Sequence, residues 1–360
     1  MADLFDYLAW RGDLTFEQDP PNCVDALVFS SLAYLNYGAA VSRTPNQPIS
    51  LRDAAADFFA LPDHEERIRV KNDLKLLEDA ANTIRFGNCR ILFYQNILVP
   101  EEETQFAAVS FLLDDHSAFL AFRGTDYSLT GWKEDFNMSF QDEVPAQRLA
   151  LEYTRAFSAS YLMPLRLGGH SKGGNLAVFA AAKCETLIQN RILTVYNLDG
   201  PGFRGNMVSF DGYHNIIPRI HTYIPQSSVI GMLLEHEEPY KVVKSKQIGL
   251  LQHESYSWDI MGKSFIPMEE VTADSRFLDA TIKTWLSDMT LEERNEIVDS
   301  LFDFLSTGEV TSAKEMIQPK NIRNYLRAWR QDDKLRHTLL SEMFNLVSAA
   351  YKTQFQKDEE

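Results

Sequence analysis

Residues 165–177 read Leu-Arg-Leu-Gly-Gly-His-Ser-Lys-Gly-Gly-Asn-Leu-Ala. Within them Gly169-His170-Ser171-Lys172-Gly173 fits G-x-S-x-G, the nucleophile elbow, in which a serine sits on a sharp turn between strand and helix. The flanks agree with the motif. A short apolar strand, 165–167, runs in, and a helix of small residues, about 175–187, runs out. The elbow holds its serine at unusual φ/ψ. Strand and helix backbones pass so close that a Cβ at Gly169 or Gly173 would collide. The turn lifts the Ser171 hydroxyl clear of the sheet and aims the Lys172 N–H, at the helix N-terminus, into the same space. A bare G-x-S-x-G recurs by chance, and the plain alternative is a glycine-rich turn. Companion motifs decide between the two.

Downstream, residues 192–198 (ILTVYNL) form a near-continuous apolar run, the pattern of a buried parallel strand. The run ends in Asp199-Gly200-Pro201, and α/β sheets present their chemistry at the C-terminal ends of strands, so Asp199 is a candidate acid. The next strand, about 219–224, ends in Pro225-Gln226-Ser227-Ser228. Upstream, 91–94, 105–113 and 118–122 read as three closely spaced strands, as in antiparallel hairpins feeding a larger sheet. The third ends in Phe122-Arg123-Gly124-Thr125.

These pieces carry a resemblance. A strand running into F-R-G-T, then Trp132-x-x-Asp135, then the elbow Gly169 to Ala177, with Gln147-x-x-Ala150-Leu151-x-Tyr153 ahead of it, resembles the class 3 (fungal-type) lipases over roughly residues 90–260. The chain also looks like a bacterial branch of that superfamily. The resemblance implies an α/β-hydrolase fold and a serine acyl-ester hydrolase. It implies that the residue after R-G, here Thr125, gives the second oxyanion N–H beside that of Lys172. This agrees with the need of a tetrahedral intermediate for two preorganised donors. The Thr125 hydroxyl is a further group that could reach the oxyanion. Arg123 and Gly124 are expected to shape that loop, and residues 126–132 occupy the place where the family carries a lid.

In this fold the order along the chain is serine, then acid, then histidine. The histidines after Ser171 are His214, His221, His236, His253 and His337. His253 lies in a late loop after a strand-like stretch, 240–244, comparable to the loop that carries the family's histidine, and is the candidate base. His236 competes, but it lies in Leu-Glu-His-Glu-Glu (234–238), which reads as a solvated acidic run. His337 reads as a surface residue of a charged helix. His170 is adjacent to the nucleophile, where side chains diverge, so it is expected to support the site and not to act as the base. The acid departs from the family. Class 3 lipases place an aspartate in the turn after the following strand, which here is Pro225-Gln226-Ser227-Ser228 and holds no carboxylate. Asn197-Leu198-Asp199-Gly200-Pro201 resembles instead the G-L-D-P-type turn of pancreatic-type lipases, one strand earlier. Asp199 is therefore assigned as the acid, with Glu235 and Glu237 as fallbacks.

Gly200-Pro201-Gly202-Phe203-Arg204-Gly205 matches the dinucleotide pattern G-x-G-x-x-G. That fingerprint requires a helix opening there and an acid about 20 residues on. Asp211-Gly212 breaks the chain early and the stretch near His221 lacks a carboxylate, so a glycine-rich loop is expected. No cofactor or metal is implied. Three distant cysteines, Cys23, Cys89 and Cys184, form neither a metal spacing nor a disulfide framework.

The 360 residues are 45% hydrophobic, enough for a sizeable core, and the net charge of −16 argues against nucleic acid or anionic membrane as partners. The start MADLFDYLAW lacks the marks of a secretory signal, and no apolar run spans a bilayer, so no stable membrane insertion is expected. A reducing cytoplasm fits the cysteine usage. The organisation expected is an N-terminal helical region (1–85) over one sheet face, an α/β-hydrolase core (86–272) with a mostly parallel sheet and flanking helices, and a C-terminal helical appendage (273–360). Helices are read over 24–35, 52–59 and 65–85, and again from about 273, where Thr290-Leu291-Glu292-Glu293 reads as a capping box. The substrate expected is a small acyl ester or lipid. A non-catalytic binding module on the same scaffold, and an acyltransferase or thioesterase, stay open as alternatives. The sequence leaves oligomeric state undecided.

Overall fold

The computed structural model describes residues 1–316, 318–331 and 333–357. The chain divides into two compact units that do not follow chain order. The first comprises Met1–Ile97, Phe106–Gly124 and Ala146–Val271, and the second Leu98–Gln105, Thr125–Pro145 and the chain from Thr272 onward. Residues 1–85 thus lie wholly within the first unit.

One large sheet is built from β1 (Ile49–Ser50), β2 (Arg90–Val99), β3 (Thr104–Leu112), β4 (Ala118–Phe122), β5 (Leu165–His170), β6 (Ile192–Leu198), β7 (Ile220–Pro225) and β8 (Tyr240–Val243). The strands stand side by side in that order. A small hairpin of β9 (Ile260–Met261) and β10 (Ser264–Phe265) follows, and β11 (Pro267–Met268) closes the large sheet beside β8. The sheet is mixed. From β4 to β8 every neighbouring pair is parallel, whereas β1 with β2, β3 with β4 and β8 with β11 are antiparallel. The expected parallel character is confined to those five strands. The edges escape the sequence pattern because β1 and β11 are only two residues long.

Alternation along the strands feeds two cores. On β3 and β4, Val109, Phe111, Phe119 and Ala121 face one apolar cluster, which includes the N-terminal helices. Phe106, Ala108, Leu120 and Phe122 face the other, which includes the helices Pro145–Ser160 and Lys172–Lys183. Burial on both faces explains why β4 reads as unbroken Ala-Phe-Leu-Ala-Phe. The helix Cys23–Leu32 is buried at every position, and its Asn22 cap and Asp25 form a capping box. Asp25 also takes a bidentate bond from Arg85 (2.8 and 2.6 Å), with both side chains fully buried.

The helix expected over 65–85 is broken. A single 3₁₀ turn, His64–Glu66, precedes helices at Asn72–Asn82 and Ile84–Gly87. Asp73 Oδ2 accepts from the N–H groups of Arg69 and Val70 (2.8 Å each), and this local bond competes with helix ahead of residue 72.

In the second unit, Ser128 caps the helix Leu129–Asn137, and Leu129 N–H donates to Thr311 O (2.9 Å). The lid-position segment is thus tied by backbone bonds within its own unit. Leu129, Phe140, Val298, Phe302 and Val310 form its core. Lys133 bridges Glu103 and Asp299 at 2.7 Å each. The capping box at Thr290 and Glu293 starts the helix Leu291–Leu305. Among the described residues, no helix is long and apolar enough to cross a membrane.

Candidate active site

Ser171 follows β5 and occupies the N-cap position of the helix Lys172–Lys183 at φ 59°, ψ −135°, backbone that residues with a side chain seldom adopt. The surroundings enforce it. A Cβ on Gly173 would lie 2.1 Å from Phe122 O, and one on Gly169 2.2 Å from the Gly173 carbonyl carbon. A Cβ on Gly124 would meet the Tyr34 hydroxyl at 2.2 Å and His170 O at 2.6 Å, with Ser171 Cβ at 3.1 Å. The F-R-G strand end therefore packs directly on the elbow. Ser171 N–H donates to Leu198 O (2.9 Å), which ties the serine to the end of β6.

Asp199 comes next on β6, also at positive φ (53°), and is fully buried. Asn197 Oδ1 accepts from Gly200 N–H (3.0 Å) and closes the turn. Asn175 Nδ2 donates to the Pro201 and Gly202 carbonyls (3.2 and 2.8 Å), while Gln147 donates to Asn175 Oδ1 (2.8 Å). The elbow helix and the aspartate turn are thereby locked together. Asp199 Oδ2 accepts from His253 Nδ1–H at 2.6 Å. Asp199 Oδ1 accepts from Ser228 Oγ–H (2.6 Å) and Gly231 N–H (3.2 Å). A donated Nδ1–H leaves the His253 Nε2 lone pair as a proton acceptor.

His253 ends the 3₁₀ segment Gly249–His253. Its ring lies 4.6 Å, centroid to centroid, from that of His170, the residue before Ser171. His170 is buried, its Nε2 lies 2.8 Å from His253 O, and its Nδ1 lies 3.0 Å from the Tyr34 hydroxyl. Burial holds the His170 imidazole well below the usual histidine range, and His253 and Arg69 lower it further. Gln252 braces the same loop by accepting from Ser227 N–H (2.7 Å) and donating to Gln247 O (2.9 Å).

The other sequence candidates lie apart from this pair. Glu235 pairs through its backbone with Phe203, and Glu237 lies 3.4 Å from His214. The acidic run is not solvated throughout. Glu238 is buried and accepts from Thr222 Oγ1–H (2.8 Å), Tyr213 O–H and His236 Nδ1–H (3.0 Å). Its pKa is lowered, because these donors outweigh the opposing effect of burial. His337 is exposed. Gly205 opens only the four-residue helix Gly205–Val208, and the expected break at Asp211-Gly212 instead starts a separate six-residue helix, Asp211–Ile216, so the dinucleotide pattern lacks its long helix.

Thr125 belongs to the second unit. Its hydroxyl donates to Asp135 Oδ2 at 2.5 Å, which joins the two motif residues of F-R-G-T and W-x-x-D and commits that hydroxyl elsewhere than to an oxyanion. Arg123 is buried, with its N–H on Ala107 O (2.9 Å). Lys172, also buried, opens the elbow helix. A cleft of about 810 Å³ in the second unit is lined by residues that include Asp126–Thr130, Lys133, Phe302 and Val310, and by none of Ser171, Asp199 or His253. Among the described residues, no group of three or more His, Cys, Asp or Glu side chains could hold a metal ion.

Sequence reasoning passed over Ser228, Asn175, Gln147, Tyr34 and Gln252. Asn175 was within reach, since it is the polar residue of an otherwise apolar turn of the elbow helix.

What the structure defines is an α/β protein with a large mixed sheet, a serine on a strained strand-to-helix turn and a buried aspartate bonded to a histidine. A family model described as Mbeg1-like matches residues 80–303, and the chain belongs to that family. Two solved structures are similar to it. One, titled as the crystal structure of M37 lipase, is 13% identical, covers 57% of this chain and 67% of that one, and has a TM-score of 0.36. The other, Rhizomucor miehei lipase in a native propeptide complex, is 12% identical, covers 62% and 68%, and has a TM-score of 0.34. Comparison with curated proteins finds no match.

Proposed function

We propose that the chain is a serine hydrolase of carboxylic esters that works through an acyl-enzyme. Ser171 attacks the ester carbonyl, His253 Nε2 takes the hydroxyl proton and returns it to the leaving alcohol, and Asp199 holds the imidazole in the required tautomer. Water then attacks the acyl-enzyme, with His253 again as base. The Lys172 N–H, at the start of the elbow helix, is the donor assigned to the oxyanion. The observation that carries this reading is the 2.6 Å bond from His253 Nδ1–H to a buried Asp199, on a ring that lies against the residue preceding Ser171. Burial matters because an ionised carboxylate away from water orients and stabilises the imidazolium far more strongly than one at the surface.

The substrate expected is a small acyl ester. A p-nitrophenyl ester panel tests the reaction, and a fluorophosphonate probe tests the nucleophile. Ser171→Ala is expected to lower kcat on the order of 10⁴-fold or more and to abolish labelling. Equal turnover by wild type and variant at every chain length would reject ester hydrolysis at this site. Absence of labelling in the wild type would leave a binding module on a hydrolase scaffold.

A further inference from the structure

We propose that Tyr34 and His170 are positioning residues that fix the loop carrying the general base, so that the N-terminal helical block takes part in catalysis; this rests on His253 being that base. His253 O is a carbonyl oxygen and can only accept. His170 Nε2, 2.8 Å away, must therefore carry a proton and donate it. Burial keeps this imidazole neutral, so Nδ1 bears a lone pair, and the Tyr34 hydroxyl at 3.0 Å donates to it. Burial also pushes the Tyr34 ionisation upward, which keeps the hydroxyl protonated. The result is a one-way chain of donors, from Tyr34 O–H through the His170 ring to the backbone carbonyl of the base. A ring that merely filled space would need neither partner.

The same block grips the loop at two more points. The Arg69 guanidinium lies 4.6 Å over the Tyr34 ring and binds both Glu254 oxygens (2.8 and 2.7 Å). Asp73 Oδ1 accepts from Tyr256 O–H (2.8 Å). Residues 253, 254 and 256 are thus each held from residues 34–73 or through His170. Ahead of the base, Ile248, Leu250 and Leu251 are 79%, 63% and 63% exposed, so on that side the loop is held by the bonds of Gln252, whose carbonyl also accepts from Trp258 Nε1–H (2.9 Å). Tyr34, Arg69 and Asp73 all precede residue 80, where the family match begins, so the N-terminal half of this clamp lies outside the matched region.

Two substitutions separate positioning from packing. His170→Gln keeps an amide N–H that can reach His253 O, and His170→Leu fills the volume without a donor. Each is measured for kcat and KM across pH on a p-nitrophenyl ester, and for the far-downfield proton resonance of His253 Nδ1–H. His170→Leu is expected to lower kcat by about 10- to 100-fold, the scale of an ångström-level misplacement of a reacting group. KM should stay within about twofold, since ground-state binding is untouched. The resonance should broaden or vanish, and His170→Gln should recover most of both. Tyr34→Phe should fall between the two. Wild-type kcat and resonance in a folded His170→Leu would overturn the proposal, as would equal losses in the leucine and glutamine variants. If the wild type hydrolyses no ester, the resonance still decides, because it reports the His253–Asp199 bond and needs no turnover.

Discussion

The turns that end β6 and β7 lie beside each other and divide one task. The first turns Asp199 through positive φ into a fully buried site. The second supplies no carboxylate, only Ser228, whose hydroxyl donates to Asp199 Oδ1 at 2.6 Å. In the class 3 lipases that the sequence resembles, the acid belongs to the later turn. In the proposed assignment the earlier turn holds it and the later one supports it. Neighbouring strands stand about 4.8 Å apart, a gap that one aspartate side chain can span. The histidine requires an anionic oxygen at a point in space, and either strand end can deliver it. Aspartate also tolerates the left-handed backbone that this strand end imposes. Gly231 completes the arrangement, because a Cβ there would lie 2.3 Å from Asp199 Oδ1.

Replacing the acid breaks the comparison most severely. In Asp199→Asn, the donors Ser228 Oγ–H and Gly231 N–H hold an oxygen at the Oδ1 position. The new NH₂ must then face His253 Nδ1, which forces the imidazole proton onto Nε2 and removes the base. A loss of about 10³- to 10⁴-fold in kcat is expected with the fold intact by circular dichroism. A loss under about tenfold would mean that the β6 turn does not orient the histidine. Ser228→Ala tests the supporting side. It leaves buried Oδ1 with Gly231 N–H alone, at a cost of about 1–3 kcal/mol shared between stability and turnover. The variant should lower the urea midpoint and reduce kcat by no more than about 100-fold. Unchanged values in both would show that the later turn contributes nothing.

The elbow was legible because close backbone approach leaves a glycine pattern local to nine residues, Gly169 to Ala177. Asp199 was legible because it terminates a continuous apolar strand, and the empty turn after β7 pointed back to it. What escaped was assembled from afar. Tyr34 and His170 are 136 residues apart, and Arg69 and Glu254 are 185 apart, so no spacing rule joins them. Glu238 looked solvated with the rest of the run at 234–238 because its burial depends on Tyr213 and Thr222, which arrive from other elements. The antiparallel side of the sheet was legible in the closely spaced strands up to residue 122, whereas the two-residue edge strands β1 and β11 are too short to show a period. The bond from the Thr125 hydroxyl to Asp135 joins two motifs ten residues apart, which no spacing within either motif shows.

The smallest expected effect lies one strand further back, at the end of β5, and concerns stability. Burial depresses the His170 pKa in the folded state, whereas an unfolded histidine titrates near 6.5. Above that value both states leave it neutral and pH has no effect through this group. Below it the unfolded chain takes up a proton that the folded chain refuses, so stability falls as the solution is acidified. The slope from one such group approaches about 1.4 kcal/mol per pH unit. His221, exposed on β7 and also lowered, adds a background of the same sign, so the informative quantity is the difference between wild type and His170→Gln. Urea midpoints measured from pH 8 to 5 should run parallel above about 6.5 and diverge below it, with the wild type losing more. Parallel curves throughout would mean that His170 takes up a proton in the folded state. Its Nδ1 would then be a donor, and Tyr34 could no longer donate to it.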